Sequence, residues 1–162
     1  MLSAMLVLFA LLLCADVIFK KQVEEELNPG EERELPFGKI VVRKVYNRGF
    51  LLNLFERYPA AVKGVSLFAG AGVLLWDCLT FAKKRNYIRK LGMTLVSAGA
   101  ASNLFDRLTK GKVVDYIGWR SEKKFPGRIT ANLGDIYLAC GSALVMAGEI
   151  LSMTLPKKKV KK

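Results

Sequence analysis

The chemistry open to this chain depends on its carboxylates. Its 162 residues contain no histidine, which excludes Ser-His-Asp and Cys-His catalysis and the usual histidine-carboxylate metal sites. Hydrolytic chemistry has to come from carboxylates, lysine or serine, and we expect neither a metal nor another cofactor. Asp115 and Asp135 stand at the two ends of one short connection between apolar segments. Two carboxylates within hydrogen-bond reach share one proton, so the ionised member can act as a base and the protonated member as an acid.

Further polar residues lie near or inside the apolar segments. A charged side chain deep in a membrane span costs at least about 2.5 kcal/mol, so such residues usually face a cavity or a partner. Asp16 and Lys20 are i,i+4 neighbours, and Asn103, Asp106 and Arg107 can share one helix face. Together with Asp115 and Asp135, these residues are predicted to lie in one layer, at the interface on the outer side of the membrane. Taken singly, each has a structural explanation, because polar residues at span ends form interfacial pairs or end a helix.

Two acidic residues and the cysteines are interpreted as structural. Asp77 and Glu149 lie near the basic segments KKRNYIRK and KKKVKK, whose lysines can pair with them. Cys14, Cys78 and Cys140 each lie inside an apolar block and share no metal-ligand spacing. We therefore expect the cysteines to be buried fillers rather than disulfide partners or zinc ligands.

Four apolar blocks are long enough to position the polar residues. The chain is 52% apolar with a net charge of +12, which does not describe an ordinary soluble domain. About 20 apolar residues cross a bilayer core as a helix. The first block lacks a charged n-region and a small-x-small cleavage site, so it is interpreted as a retained span. The predicted spans are residues 1–19, 60–82, 88–108 and 133–155, and the predicted outer loops are 20–59 and 109–132.

The charge distribution predicts the orientation. The connector KKRNYIRK and the tail KKKVKK are basic without an acid, so both should be cytoplasmic. With four spans, both termini then lie inside and the two longer loops outside. The glutamate-rich first loop agrees with this topology, whereas the basic second loop does not. The tail could be a nucleic-acid patch, but lysines attracted to anionic lipid explain it more simply, and we expect no nucleic-acid partner.

β-Branched and aromatic residues predict a small sheet outside the membrane. A strand is expected near residues 39–46, and the segments GKVVDYIGW and GRITANL have the same character. The expected fold is an all-α membrane protein, in which four transmembrane helices carry a small extramembrane β-sheet on the outer side. We expect residues 1–162 to form a single membrane domain.

In chain order the sequence contains the motifs ADVIFK, YNRGF, SAGAASNLFDRLTKGKVVDYI and ANLGDIYL. In this order they resemble the motifs of the signal peptidase II family, which are four-span aspartic proteases of bacterial inner membranes. The segment SAGAASNLFDRLTKGKVVDYI is similar to the family's small-residue run, Asn, two apolar residues, Asp-Arg and Val-Val-Asp-Phe. ANLGDIYL is similar to its Phe-Asn-hydrophobic-Ala-Asp motif, ADVIFK to its Asp-x-x-x-Lys, and YNRGF to its Asn-x-Gly loop. The resemblance covers most of the chain, and the combination of motifs is specific.

The resemblance implies that Asp115 and Asp135 are the catalytic pair. It also implies supporting residues that hold the pair, order the outer loop or bind substrate backbone: Asp16, Lys20, Asn47, Asn103, Arg107 and Asn132. The implied substrate is a prolipoprotein with a diacylglyceryl-modified cysteine, cut on the amino side of that cysteine. Membrane lipid is the expected surrounding, the active site is expected at the outer face of the inner membrane, and we expect a monomer.

The chain departs from the family pattern at uncharged positions. These departures affect the expected shape of the substrate groove more than the chemistry. Gly134 is expected to add local backbone freedom just before the second aspartate. The departures are Phe50 and Leu52 in the Asn-x-Gly loop, Ser102 where glycine is usual, Ala131 in place of phenylalanine and Gly134 in place of alanine.

Two other functions stay open on sequence alone. An inactive relative could bind lipidated signal peptides without cutting them, although the retained aspartates argue against it. A small transporter or proton-conducting subunit would spread its ionisable residues through the membrane depth. Here the unexplained residues gather in one layer, which favours the protease.

Overall fold

The fold consists of long helices and one small sheet. The computed structural model describes residues 1–28, 30–36, 38–50, 53–83, 86–120 and 129–154. This part of the chain contains four long helices: α1 (Leu2–Glu26), α2 (Pro59–Ala82), α3 (Tyr87–Thr109) and α4 (Leu133–Thr154). It also contains four strands: β1 (Glu32–Glu34), β2 (Ile40–Asn47), β3 (Val113–Trp119) and β4 (Thr130–Ala131). The predicted combination of a mostly helical chain with a small sheet is confirmed.

The sheet is antiparallel, with the strand order β1-β2-β3-β4. The segments predicted to be strands form β2, β3 and β4. Their β-branched residues suit a packed sheet, and Val41 and Val114 are completely buried. Val45 lies opposite Asp115, next to an irregularity in the pairing of β2 with β3. Such irregularities redirect side chains, and this one adjoins a predicted catalytic residue.

α3 is the centre of the helical part, because α1, α2 and α4 each pack against it. α3 and α4 meet through glycines spaced seven residues apart in each helix, with Gly92 against Gly141 and Gly99 against Gly134. A Cβ atom on Gly92 would lie 2.7 Å from the carbonyl oxygen of Gly141. Only glycine lets two helix backbones approach this closely.

Three of the described helices are long and apolar enough to cross a membrane. They are α1, α2 and α4, with mean hydropathies of 2.6, 1.7 and 1.6. α3 is not among them, and it carries buried polar residues where it packs against its neighbours: Lys90, Thr94, Ser97, Ser102, Asn103 and Asp106. Three membrane helices are thus supported, and the fourth span stays a prediction.

The cysteines lie on the outer surface of the helices. Cys14, Cys78 and Cys140 are exposed on α1, α2 and α4, so the prediction that they are buried fillers is wrong. Large apolar side chains are exposed on the same helices, and Phe68 is 84% exposed. Because a surface that faces lipid is itself apolar, an apolar block does not distinguish core positions from surface positions.

Candidate active site

Asp115 and Asp135, the aspartate pair, line the same cavity. It has a volume of about 700 Å³ and lies between α2, α3, α4 and the sheet. Asn47, Asn103 and Arg107 also line it. Small and apolar residues form much of the remaining wall, among them Val65, Ala69, Gly70, Val73, Leu104 and Leu138. In the described part of the chain, no group of three or more acidic, histidine or cysteine side chains is arranged to hold a metal ion.

Asp115 projects from β3 and is only 4% exposed. Its Oδ2 accepts a hydrogen bond from Nδ2 of Asn47 at 3.1 Å, and its Oδ1 accepts one from Nδ2 of Asn132 at 2.7 Å. Burial and the nearby carboxylate of Asp135 raise the pKa of Asp115 to about 6, although both amide donors and Lys20 act in the opposite direction. Asp115 can therefore change its protonation state near neutral pH.

Asp135 lies in the first turn of α4 and is held by the residue that caps this helix. Its backbone N–H donates to Oδ1 of Asn132 at 2.9 Å, and its Oδ2 accepts from the backbone N–H of Asn132 at 3.2 Å. This reciprocal arrangement is a capping box, which explains why the helix begins here. Oδ1 of Asp135 also accepts a hydrogen bond from Nδ2 of Asn103 at 2.8 Å. Asn132 contacts both carboxylates and is the link between them.

A second group of polar residues lies against the pair, between α1 and α3. We call it the Lys20 cluster: Asp16, Lys20, Ser102, Asn103 and Asp106. Nζ of Lys20 lies 2.8 Å from Oδ2 of Asp16 and 3.3 Å from Oδ2 of Asp106. It also donates to Oγ of Ser102 at 3.0 Å and to Oδ1 of Asn103 at 2.8 Å. Every member is at most 6% exposed, and only Asn103 reaches the cavity.

Arg107 and Asn47 hold the loop that follows β2. Oδ1 of Asn47 accepts from the backbone N–H of Gly49 at 3.1 Å, and Nη2 of Arg107 donates to the Gly49 carbonyl at 3.0 Å. The Arg107 guanidinium also lies 5.6 Å from the centre of the Phe50 ring. Both residues thus connect this loop to the cavity that holds the pair. Leu52, the other departure in the loop, lies outside the described residues.

Two hydroxyl groups have contacts that the sequence interpretation did not assign. Oγ of Ser102 donates to Oδ2 of Asp16 at 2.5 Å, and the Tyr116 hydroxyl donates to Oδ1 of Asp16 at 3.0 Å. In the family motifs these positions carry glycine and phenylalanine. Ser102, one of the departures noted above, and Tyr116, which stands at the phenylalanine position of the motif, were therefore the available signal, since each adds a hydroxyl beside the buried carboxylate of Asp16.

Gly134 provides space for polar side chains. It is buried in the first turn of α4 and does not have a positive φ, so the expected use of backbone freedom is not seen. A Cβ atom here would lie 2.9 Å from Oδ1 of Asn132, 3.0 Å from Oδ2 of Asp16 and 3.3 Å from Oδ1 of Asn103. The missing side chain lets the Lys20 cluster approach the cap of α4.

The two acidic residues assigned to structure have different partners. Glu149 forms an ion pair with Arg89 of the basic connector, as expected. Asp77 instead accepts a hydrogen bond from Ser97 on α3 at 2.5 Å. Its expected pairing with the connector lysines is wrong, because Asp77 lies more than a turn before the end of α2. The tail KKKVKK lies outside the described residues.

Comparisons with known proteins identify the family. The family model described as signal peptidase (SPase) II matches residues 8–151. A lipoprotein signal peptidase of Fusobacterium nucleatum is 29% identical over 154 residues, covering 95% of this chain and 89% of the relative. One of Clostridium novyi is 26% identical over 147 residues, covering 88% of this chain and 93% of the relative.

Solved structures show the same fold. Two bacterial membrane enzymes, each 18% identical, superpose with TM-scores of 0.82 and 0.74. They match 99% and 96% of this chain, and 95% of each enzyme is covered. Since the family model covers most of the chain, as the motifs predicted, this chain belongs to the signal peptidase II family.

Proposed function

We propose that this chain is an aspartic endopeptidase that cleaves the signal peptide of diacylglyceryl-modified prolipoproteins on the amino side of the lipidated cysteine. Family membership and the resemblance to lipoprotein signal peptidases support the reaction and its substrate class. One observation carries the aspartic mechanism. Asp115 and Asp135 line a single cavity and are both hydrogen-bonded to Asn132.

The aspartate pair supplies both the base and the acid. With one proton between the two carboxylates, the ionised member removes a proton from a water molecule as its oxygen attacks the peptide carbonyl. The protonated member donates to the developing oxyanion. When the tetrahedral intermediate collapses, the C–N bond breaks, the leaving nitrogen takes the proton that was removed from the water, and the other carboxylate regains its own proton from the oxygen as the carbonyl re-forms. The raised pKa of Asp115 helps to keep a proton in the pair near neutral pH.

The surrounding residues orient this chemistry. Asn47, Asn103 and Asn132 hold the two carboxylates through amide donors. Asp16 and Lys20 fix Asn103 and the neighbouring part of α3. Arg107 anchors the loop beside the cavity and acts electrostatically on both aspartates.

The proposed setting is the outer face of the bacterial inner membrane, with both termini in the cytoplasm and a monomer in contact with lipid. α3 would be the fourth span within one domain. Its 23 residues would extend about 35 Å, enough for a hydrocarbon core of about 30 Å. Packing against α1, α2 and α4 would shield its polar residues from lipid.

The proposal can be tested in bacteria depleted of their own lipoprotein signal peptidase. We expect the wild-type chain to convert a lipidated precursor to its mature form, and Asp115→Asn and Asp135→Asn to leave the precursor uncut. Glu25→Gln makes the same carboxylate-to-amide change on an exposed side chain and should process normally.

Three outcomes would contradict the proposal. Processing by both asparagine variants would exclude the aspartate pair as the catalytic group. A folded, membrane-inserted wild type that leaves the lipidated precursor intact would exclude the substrate. Proton flux without cleavage, abolished by the same two substitutions, would favour a transporter.

A further inference from the structure

Tyr116 follows Asp115 on β3 but points away from the cavity. Successive side chains on a strand face opposite sides. Asp115 lines the cavity, whereas Tyr116 is 4% exposed and packs with Val23, Leu27 and Val114. Tyr116 is not among the residues that line the cavity and cannot touch a substrate there. Any influence on the reaction has to pass through its contacts.

The Tyr116 hydroxyl joins three elements at one point. It donates to Oδ1 of Asp16 on α1 at 3.0 Å and accepts from the backbone N–H of Leu133 at 3.2 Å. Leu133 is the first residue of α4, and the first N–H groups of a helix have no partner within the helix. The hydroxyl therefore ties β3, which carries Asp115, to the turn of α4 that carries Asp135.

The hydroxyl stays a donor to Asp16. Burial and the nearby carboxylate of Asp16 raise the pKa of Tyr116 above its usual value, so the phenol keeps its proton. Asp16 is itself oriented by Lys20 and Ser102 through its other oxygen, Oδ2. The Tyr116 hydroxyl thus connects the Lys20 cluster with the start of α4, because it donates to Asp16 and accepts from the N–H of Leu133.

The contact of the Tyr116 hydroxyl with Asp16 depends on the space left by Gly134. A Cβ atom at this position would lie 3.0 Å from Oδ2 of Asp16 and 2.9 Å from Oδ1 of Asn132. Both atoms are already held, by Lys20 and by the N–H of Asp135 respectively. A methyl group would displace at least one of them. Tyr116 and Gly134 therefore meet the same carboxylate, that of Asp16, the hydroxyl at Oδ1 and the glycine at Oδ2.

We propose that Tyr116 is a positioning residue for the aspartate pair, which sets the start of α4, and with it Asp135, relative to β3 and Asp115. Gly134 is the space that this arrangement requires. The inference rests on the proposed protease function. It assigns to Tyr116 no contact with substrate and no proton transfer.

The test compares Tyr116→Phe with wild type in detergent micelles, using a lipidated peptide substrate. Loss of one hydrogen bond to a charged group and one to a helix N–H should lower kcat roughly tenfold. KM should be little changed, because the cavity wall is intact. Tyr87→Phe is the matched control, since it removes an exposed hydroxyl at the start of α3, and it should behave as wild type.

A second measurement does not depend on activity. Hydrogen exchange of the first-turn amides of α4 should be roughly tenfold faster in Tyr116→Phe, since the Leu133 N–H loses its partner. Gly134→Ala should give the same two changes with an intact tyrosine. These results together would support the positioning role.

Other results would overturn it. If wild type and Tyr116→Phe cleave with equal kcat and exchange equally at α4, the positioning role is wrong while the protease function stands. A rise in KM with unchanged kcat would show a binding role instead. A wild type that does not cleave would overturn the protease function, and the inference with it.

Discussion

The aspartate pair and the Lys20 cluster are neighbours, but their carboxylates are held by different partners. Asp16 and Asp106 form ion pairs with Lys20 and are closed off from the cavity. Asp115 and Asp135 receive hydrogen bonds from asparagine side chains and face the cavity. Asn103 of the Lys20 cluster connects the two groups, because its Oδ1 accepts from Lys20 and its Nδ2 donates to Asp135.

The difference shows what makes a buried carboxylate suitable for proton transfer. In a buried ion pair the carboxylate and the ammonium group compensate each other, and removing one partner leaves an uncompensated charge. A carboxylate held by neutral amides beside a second carboxylate can take up a proton, as the pKa of about 6 for Asp115 indicates. Asp115 is about as buried as Asp16 and Asp106, so the kind of partner, rather than burial, distinguishes its carboxylate from theirs.

The largest expected effect is on activity at the aspartate pair. Under the proposed mechanism, Asp115→Asn or Asp135→Asn removes a group that transfers a proton, so kcat should fall by a factor of about 100 to 10,000. The fold should be retained, because asparagine keeps the size of the side chain. Turnover of a lipidated peptide and thermal unfolding in detergent measure the two effects. If these variants lose turnover because they unfold, the proposed distinction between the aspartate pair and the Lys20 cluster is wrong.

In the Lys20 cluster the expected loss is of stability. Lys20→Met leaves Asp16 buried without a cation, which should lower the free energy of unfolding by about 3–5 kcal/mol. The neighbouring Lys21 pairs with Glu25 at the surface, so Lys21→Met should change the free energy of unfolding by less than about 1 kcal/mol. Denaturant unfolding of both variants checks this. Equal stability of the two would mean that the cluster is not structural.

A smaller effect is expected where α3 and α4 hold both groups in place. Gly141→Ala brings a Cβ atom 2.6 Å from the Gly92 carbonyl oxygen, and such overpacking costs about 1–3 kcal/mol. Gly72→Ala on α2 is the control, because nothing lies within 4 Å of its Cβ position and alanine favours a helix. Unfolding in detergent should therefore show a lower stability for Gly141→Ala than for Gly72→Ala. A Gly141→Ala protein as stable as wild type would contradict the close contact between Gly92 and Gly141.

The smallest effect is a change in the pKa of Asp115. The carboxylate of Asp135 raises this pKa and the amide of Asn47 lowers it. Asp135→Asn should therefore lower the pH at which Asp115 gains its proton, and Asn47→Leu should raise it above the wild-type value of about 6. An infrared titration of the carboxyl band, assigned with Asp115→Asn, measures both directions. Shifts of the same sign in the two variants would contradict this electrostatic account.

Some of this architecture could be predicted from residue types and spacing. β-Branched runs predicted β2 and β3, and the apolar blocks predicted the helices. The i,i+4 spacing of Asp16 and Lys20 indicated that the two side chains can pair, and the structure shows this ion pair. These features are local, so a pattern within one segment is enough to indicate them.

Features that depend on two segments were harder to predict. Tyr116 contacts Asp16 a hundred residues away, and no spacing indicates that pair. The seven-residue spacing of the glycines was present in the sequence, but only the packing of α3 on α4 gives it a meaning. Asp77 was given the wrong partner because nearness along the chain was taken for nearness in space. The catalytic role of the aspartate pair stays a prediction.

The backbone contact of α3 with α4 also bears on how the proposed substrate, a membrane-anchored peptide, would reach the aspartate pair. Between Gly92 and Gly141 there is no room for an acyl chain or a side chain. α2 packs mainly against α3, and the wall of the cavity is formed by Ala69 of α2 on one side and Leu138 of α4 on the other. The cavity itself lies between α2 and α4, so in the proposed function the fatty chains of the substrate would stay in the hydrocarbon beside these two helices while the peptide bond meets the carboxylates.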